Sequence, residues 1–273
     1  MPKVSVIIPY YNHGAFLLDA LDSVKNQTFP DFEVIIVNDG STDFESLKIF
    51  ESISNIDFPC TLISQENFGP SVARNNALKI AKGIYIVMLD ADDLIRKDTI
   101  NSCVEKLDMN KNLAVVYGNC MWFDEKKGLK KQRNFDVIKQ LRANEIAVCS
   151  VIRKEALESA GGFDEYLSLK GLEDWDLWLS LYENGWEFCY VDDVMFDIRV
   201  SFTSRTFEVA NNKIEELTSY VYKKHSDLLA SQFIRLYHEN KNFKCTTDYR
   251  IGNSILTPFR FVKNIFRGFL HEY

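Results

Sequence analysis

Short apolar runs alternate, along the first hundred residues, with stretches in which apolar side chains recur every three or four positions. The runs at 4–8, 34–37, 61–63 and 84–89 are of strand length and rich in Val and Ile. Between them Leu17, Ala20, Leu21 and Val24, then residues from about 44 to 53, then Val72, Ala73, Ala77 and Ile80 fall on helical spacing. Pro9 is expected to stop the first strand because it cannot donate to a ladder, and Pro70 to sit in the first turn of the third helix. Four alternations with short connections predict an α/β fold: a wound, mostly parallel sheet with right-handed crossovers and helices on both faces.

The second half has a different texture. Residues 113–117, 121–123 and 146–152 read as strands, 126–133 as a solvated basic loop or turn, and 153–160 as a short helix closed by Gly161 and Gly162. Leu177, Trp178 and Leu181 give a later helix its buried side. Beyond Arg205, residues 211–224 and 228–237 are predicted helices, with Tyr220, Tyr222, Phe233 and Tyr237 placed to pack on the preceding domain. A last helix at 257–271 sets Phe259, Val262, Phe266 and Phe269 against Arg260, Lys263, Arg267 and His271. That pattern suits a helix lying on an anionic membrane, and equally one docked on the protein or on a second subunit. The expected organisation is a domain at 1–204, with halves at 1–110 and 111–204, followed by a helical extension at 205–273.

Composition narrows the class. With 273 residues, 46% of them hydrophobic, the chain can bury one large core or two modest ones. The six cysteines are scattered, with no Cys-x-x-Cys pair, so reduced, buried thiols are expected. No apolar run approaches the roughly 18 residues of a membrane span, and the amino terminus has no secretion-signal pattern, so the expected location is cytoplasmic, with peripheral contact at the inner face of the membrane through 257–271. Net charge is −7, but 205–273 hold 11 basic against 7 acidic residues. Such asymmetry marks a segment that meets an anionic surface. No nucleic-acid recognition module is present, so no nucleic-acid partner is expected.

Polar clusters collect where the predicted strands end. Pro9, Tyr10, Tyr11 and Asn12 follow the first strand, Asn38 to Asp43 the second, and Asp90, Asp92 and Asp93 the fourth, on the edge where wound sheets bind ligands. If the fourth strand kept its geometry to the end, Asp90 and Asp92 would point one way and Asp93 the other. Paired hard oxygens suit Mg2+ or Mn2+; three acids taken alone would more simply be a solvated turn capping the next helix. The glycine patterns of dinucleotide-binding and P-loop enzymes are absent. Glu173 and Asp174 open a helix, where acids are favoured by the dipole and as a pair are simply a cap.

Five segments in order make the pattern specific: Val-Ser-Val-Ile-Ile-Pro-Tyr-Tyr-Asn at 4–12, Val-Asn-Asp-Gly-Ser-Thr-Asp at 37–43, Gly-Pro-Ser-Val-Ala-Arg-Asn at 69–75, Asp-Ala-Asp-Asp at 90–93, and Glu-Asp-Trp-Asp-Leu at 173–177. Over about 200 residues the chain resembles the family 2 glycosyltransferases, inverting nucleotide-sugar enzymes of the GT-A fold. The resemblance implies that Pro9, Tyr11, Asn12 and Asp39 line the nucleotide pocket, Asp39 accepting from the base. It also implies that Arg74 completes that pocket, that Asp90 and Ala91 lie near the ribose, and that Asp92 holds a Mn2+ or Mg2+ bridging the diphosphate. Asp174 would be the general base, with Glu173 as runner-up. The implied donor is a UDP-sugar and the implied acceptor a glycan or lipid-linked saccharide of surface polysaccharide synthesis. Ser201 stands where many members carry a histidine, while Arg199 and Ser204 match. The competing readings are a non-catalytic nucleotide-sugar-binding subunit and a phosphotransferase with Asp90 as nucleophile. The latter class places its Asp-x-Asp after the first strand, whereas this chain places it after the fourth.

Overall fold

The structure, a computed structural model, describes residues 1–53, 58–168, 171–201 and 214–244, the side chains of 242–244 aside. The predicted helix at 257–271 and residues 202–204 lie outside the described residues. Strands and helices alternate as β1 (Val4–Tyr10), α1 (Gly14–Lys25), β2 (Phe32–Asp39), α2 (Phe44–Ser52), β3 (Cys60–Gln65), α3 (Pro70–Ile80) and β4 (Tyr85–Met88). Then follow β5 (Leu94–Ile95), α4 (Thr99–Met109), β6 (Leu113–Asp124), β7 (Gly128–Lys130), α5 (Val137–Arg142), β8 (Ser150–Arg153) and α6 (Lys154–Ser159). A 3-10 turn (Glu165–Leu167) leads to α7 (Glu173–Glu183), β9 (Glu187–Val200), α8 (Ile214–Lys224) and α9 (Ser226–Lys244).

The strands form one nine-stranded sheet in the order β3-β2-β1-β4-β8-β6-β9-β5, with β7 beside β6. β1 to β4 are mutually parallel, β8 enters antiparallel to β4, and β6 and β9 run parallel to each other. Both faces are covered. Val4, Val6, Ile8 and Tyr10 pack under α1, α2 and α4, whereas Ile7, Ile35 and Ile86 pack under α3, α6 and α7. Double coverage is why these strands read as continuous apolar runs. Trp178 of α7 is fully buried in the second layer; truncating such a side chain to alanine costs about 3–5 kcal/mol.

Several expectations need correction. β1 does not stop at Pro9 but runs to Tyr10, opposite Asn38. The pairing of β1 with β4 ends at Ile7 and Met88, so beyond it β1 has a strand neighbour on one side only, where a missing N–H is tolerated. Residues 113–117 and 121–123 belong to one strand, β6, kept continuous by register shifts around Gly118, Asn119 and Cys120. The basic loop at 126–133 contains β7, and the strand expected at 146–152 is confined to Ser150–Arg153.

Met1–His225 and Ser226–Tyr273 are two compact units. Within the first, α8 packs as its tyrosines suggest: Tyr220 donates to Asp164 and Tyr222 to the Leu141 carbonyl, at 2.9 Å each. In the second, Phe233 and Tyr237 are 71% and 59% exposed. Five cysteines among the described residues are free thiols. Among the described residues, no helix is long and apolar enough to cross a membrane.

Candidate active site

The carboxyl ends of β1 and β2 are stitched together by Asn12, which takes the left-handed conformation (φ 52°). Its Oδ1 accepts from the Thr42 and Asp43 N–H groups at 2.8 and 3.3 Å, and its own N–H donates to Ser41 Oγ at 3.0 Å. Tyr11 beside it is 41% exposed, while Pro9 is half-buried opposite Val37. Asp39, 3% exposed at the end of β2, accepts from Gln65 Nε2 (2.8 Å), Phe68 N (2.9 Å) and Gly69 N (2.8 Å). Those bonds hold the turn that launches α3. Gly40 follows at φ 72°, and a Cβ there would lie 2.7 Å from Asn67 N, so only glycine fits.

One turn into α3, Arg74 is 2% exposed and reaches in two directions: Nη2 lies 2.6 Å from Asp90 and Nη1 3.2 Å from Glu173. Burial alone would lower its pKa, but the two carboxylates outweigh it and hold the guanidinium charged. Glu173, 4% exposed, is therefore already paired.

The acidic stretch after β4 is a turn rather than an extended strand, closed by Asp93 N donating to the Asp90 carbonyl at 3.0 Å. Strand alternation is lost, and burial sorts the three acids instead. Asp93, 5% exposed, points inward and accepts from Arg199 N (2.8 Å) and the Cys149 thiol (3.3 Å). Burial, then the charges of Asp92 and Asp90, push its pKa well up. Ala91 is buried and Asp90 turns to Arg74. Asp92 keeps a partly open carboxylate, with the His13 ring nitrogen Nδ1 3.8 Å from its Oδ1. Burial raises its pKa against the pull of His13, and Asp90 adds to the rise.

Asp174, next to buried Glu173 at the start of α7, is half-buried. Its Oδ2 accepts from Asn144 Nδ2 at 2.7 Å and its Oδ1 from Trp175 N at 2.9 Å. Among the described residues it has no ion pair. Burial, then the Glu173 charge, push its pKa up to about 6. Arg74 thus joins Asp90 to Glu173, the neighbour of Asp174, while Asp39 anchors the turn from which α3 carries Arg74, and Asp92 lies beside His13.

Three participants escaped sequence reasoning. His13 had a usable signal, since it follows β1 on the edge that carries the acids. Asn144 and Cys149 had none, because only tertiary packing brings them to Asp174 and Asp93. His225 is 1% exposed, with Nδ1 2.6 Å from Glu183 and Nε2 3.0 Å from Asp176. Lys224 joins it, 2.8 Å from Asp176 and 2.7 Å from Asp164. Two carboxylates supply what the imidazole loses to burial.

Residues 5–161 match the family model described as Glycosyl transferase family 2. The chain belongs to that family. Among curated family relatives, Escherichia coli chondroitin synthase is 31% identical over 189 residues, which are 68% of this chain but 27% of that protein. The chain thus spans about a quarter of that relative's length. Among solved structures, residues 1–349 of S. aureus TarS in complex with UDP superpose with a TM-score of 0.61 at 27% identity, covering 76% of this chain and 63% of that one. The mannosyltransferase PcManGT from Pyrobaculum calidifontis, in complex with GDP-Man and Mn2+, shares the fold: TM-score 0.58, 20% identity, covering 94% of this chain and 84% of that one.

The acidic turn offers oxygen donors of the kind a divalent cation takes. Asp90 and Asp93 have partners of their own, whereas the Asp92 carboxylate, among the described residues, has the His13 imidazole at 3.8 Å and the Arg199 charge to offset it. The energetic cost of keeping that carboxylate ionised is one a cation would offset.

Proposed function

We propose that this chain is an inverting glycosyltransferase that moves a sugar from a nucleotide-sugar donor, a UDP-sugar, to a glycan or lipid-linked acceptor in polysaccharide synthesis. The observation that carries the reading is the division of labour between two adjacent acids. Glu173 is buried and neutralised by Arg74, while Asp174 is half-buried, unpaired by any cation among the described residues, and poised at a pKa of about 6. A carboxylate so tuned is ionised at neutral pH yet basic enough to take the proton of an acceptor hydroxyl.

In this reading Asp174 removes that proton as the hydroxyl attacks the anomeric carbon, and the nucleoside diphosphate leaves from the opposite face. One in-line displacement inverts the configuration. Asp92 would hold Mn2+ or Mg2+, which supplies Lewis-acid neutralisation of the diphosphate charge. Asp39, with its three bonds shared over two oxygens, retains a lone pair for a donor on the base. Tyr11, Pro9, Asn12, Asp90 and Ala91 surround the nucleotide. Arg74 contributes from beneath by fixing Asp90 and Glu173 relative to each other. The fold and the UDP-bound relative TarS support a nucleotide-sugar site.

The test is a panel of nucleoside diphosphate sugars with saccharide acceptors and Mn2+, read by NMR of the product anomer. Transfer with inversion is expected, UDP-sugars leading. Tight UDP binding with no turnover on any donor would favour the non-catalytic subunit, and a retained anomeric configuration would sink the single-displacement mechanism.

A further inference from the structure

Asp174 does not stand alone; it is the end of a hydrogen-bond relay that begins at a main-chain N–H. Gln140 of α5 is 1% exposed, and its Oε1 accepts from Glu145 N at 3.2 Å. A backbone N–H can only donate, so the Gln140 amide is held one way round, with Nε2 on the other side. That Nε2 donates to Asn144 Oδ1 at 3.0 Å. Asn144 is therefore fixed in turn, and its NH2 group must face Asp174 Oδ2, 2.7 Å away. Trp175 N occupies Oδ1. Each amide orientation follows from the one before it, and the last link presents a donor to the carboxylate.

The platform beneath the relay is rigid for reasons visible in the fold. α5 is six residues long, too short to persist alone, and is pinned at both ends. Asp136 caps it by accepting from Ile138 N and Lys139 N. At its far end the Gln140 carbonyl accepts from Trp175 Nε1, and the Leu141 carbonyl accepts from Tyr222 of α8 at 2.9 Å. Tyr222 in turn meets the Trp175 ring edge-on, with centroids 5.6 Å apart.

We propose that Asn144 is a positioning residue for transfer: through Gln140 it holds the Asp174 carboxylate in one orientation, ionised, with its free lone pairs left for the acceptor hydroxyl. The inference rests on Asp174 being the base. A purely structural Asn144 would bind loop to helix without setting the protonation of its neighbour, so the two roles part on a titration.

The experiment uses the full chain with 13C-labelled aspartate carboxyls, Asp174→Asn identifying the resonance. In Asn144→Leu the Asp174 midpoint should rise by about one pH unit, the scale of one donor lost from a charged acceptor. With the UDP-sugar that the panel turns over fastest, the acid limb of kcat should move by the same amount. kcat on the high-pH plateau should fall about tenfold, with donor KM within about twofold. Gln140→Leu, which frees the Asn144 amide to turn over, should shift the midpoint less but in the same direction; Asn144→Ala serves if either leucine variant misfolds. An unchanged midpoint in folded Asn144 variants overturns the positioning role while leaving the base reading intact. Full transfer by Asp174→Asn overturns the base itself, whatever the midpoint does.

Discussion

Arg74 and Glu173, 99 positions apart in the chain, meet at 3.2 Å in the interior, and the same guanidinium holds Asp90 at 2.6 Å. One buried cation thereby fixes the distance between the acidic turn after β4 and the first turn of α7. Removing it strands Glu173 as a buried, uncompensated charge. Arg74→Ala is expected to lose about 3–5 kcal/mol, a fall of about 10 °C in midpoint for a unit of this size, by thermal denaturation at pH 7. Arg74→Lys should recover less than half, because a single ammonium cannot reproduce a fork that serves two acids.

Asp174→Asn tests the base directly. Transfer should fall by about 10²–10⁴-fold, while the melting midpoint at pH 7 stays level or rises, since a carboxylate with an elevated pKa resists burial in its charged form.

The same elevation sets a pH dependence. Transfer by the unsubstituted chain should rise with pH through about 6 as Asp174 ionises. For stability the sign is opposite. The folded state holds this proton more tightly than the unfolded chain does, so the group favours folding when protonated. That contribution fades as pH climbs from the ordinary aspartate range through 6. An acid limb of kcat near pH 4 would count against the assignment.

Metal removal should abolish transfer, and Mn2+ or Mg2+ should restore it. Asp92→Asn should keep its fold by circular dichroism yet lose at least a hundredfold in Mn2+-supported turnover; undiminished turnover in chelator would refute a role for the ion.

His225 gives a separate handle on α8. Burial pulls its pKa down, but the bonds to Asp176 and Glu183 outweigh that and the net shift is upward. Its contribution to stability is therefore complete below about pH 6.5, and is lost as pH rises through the elevated folded value. Melting midpoints of His225→Gln and the unsubstituted chain should converge between neutral and alkaline pH; a constant gap would mean that the imidazole acts only by packing.

Much of this was legible in the chain itself. The alternation of β1 to β4 with α1 to α3 was plain because both sheet faces are covered, which prints unbroken apolar runs. α4 was equally readable, with Ile100, Cys103, Val104 and Leu107 buried at helical spacing. α5 was not, since six residues show less than two turns of any period. Residues 113–117 and 121–123 form one strand because β9 accommodates a bulge opposite Gly118 and Asn119.

What the linear order of residues determined by itself was the edge on which chemistry gathers: strand periodicity sends the ends of β1, β2 and β4 to one side, and the residues there are polar and acidic. It could not choose among those acids. Which carboxylate is neutralised, which turns inward and which stays open depends on partners from remote elements. Arg74 meets Glu173, Arg199 and Cys149 meet Asp93, and Asn144 meets Asp174. Charge and hydrogen bonding act over a few ångströms of space, and only the folded chain brings those groups within that reach.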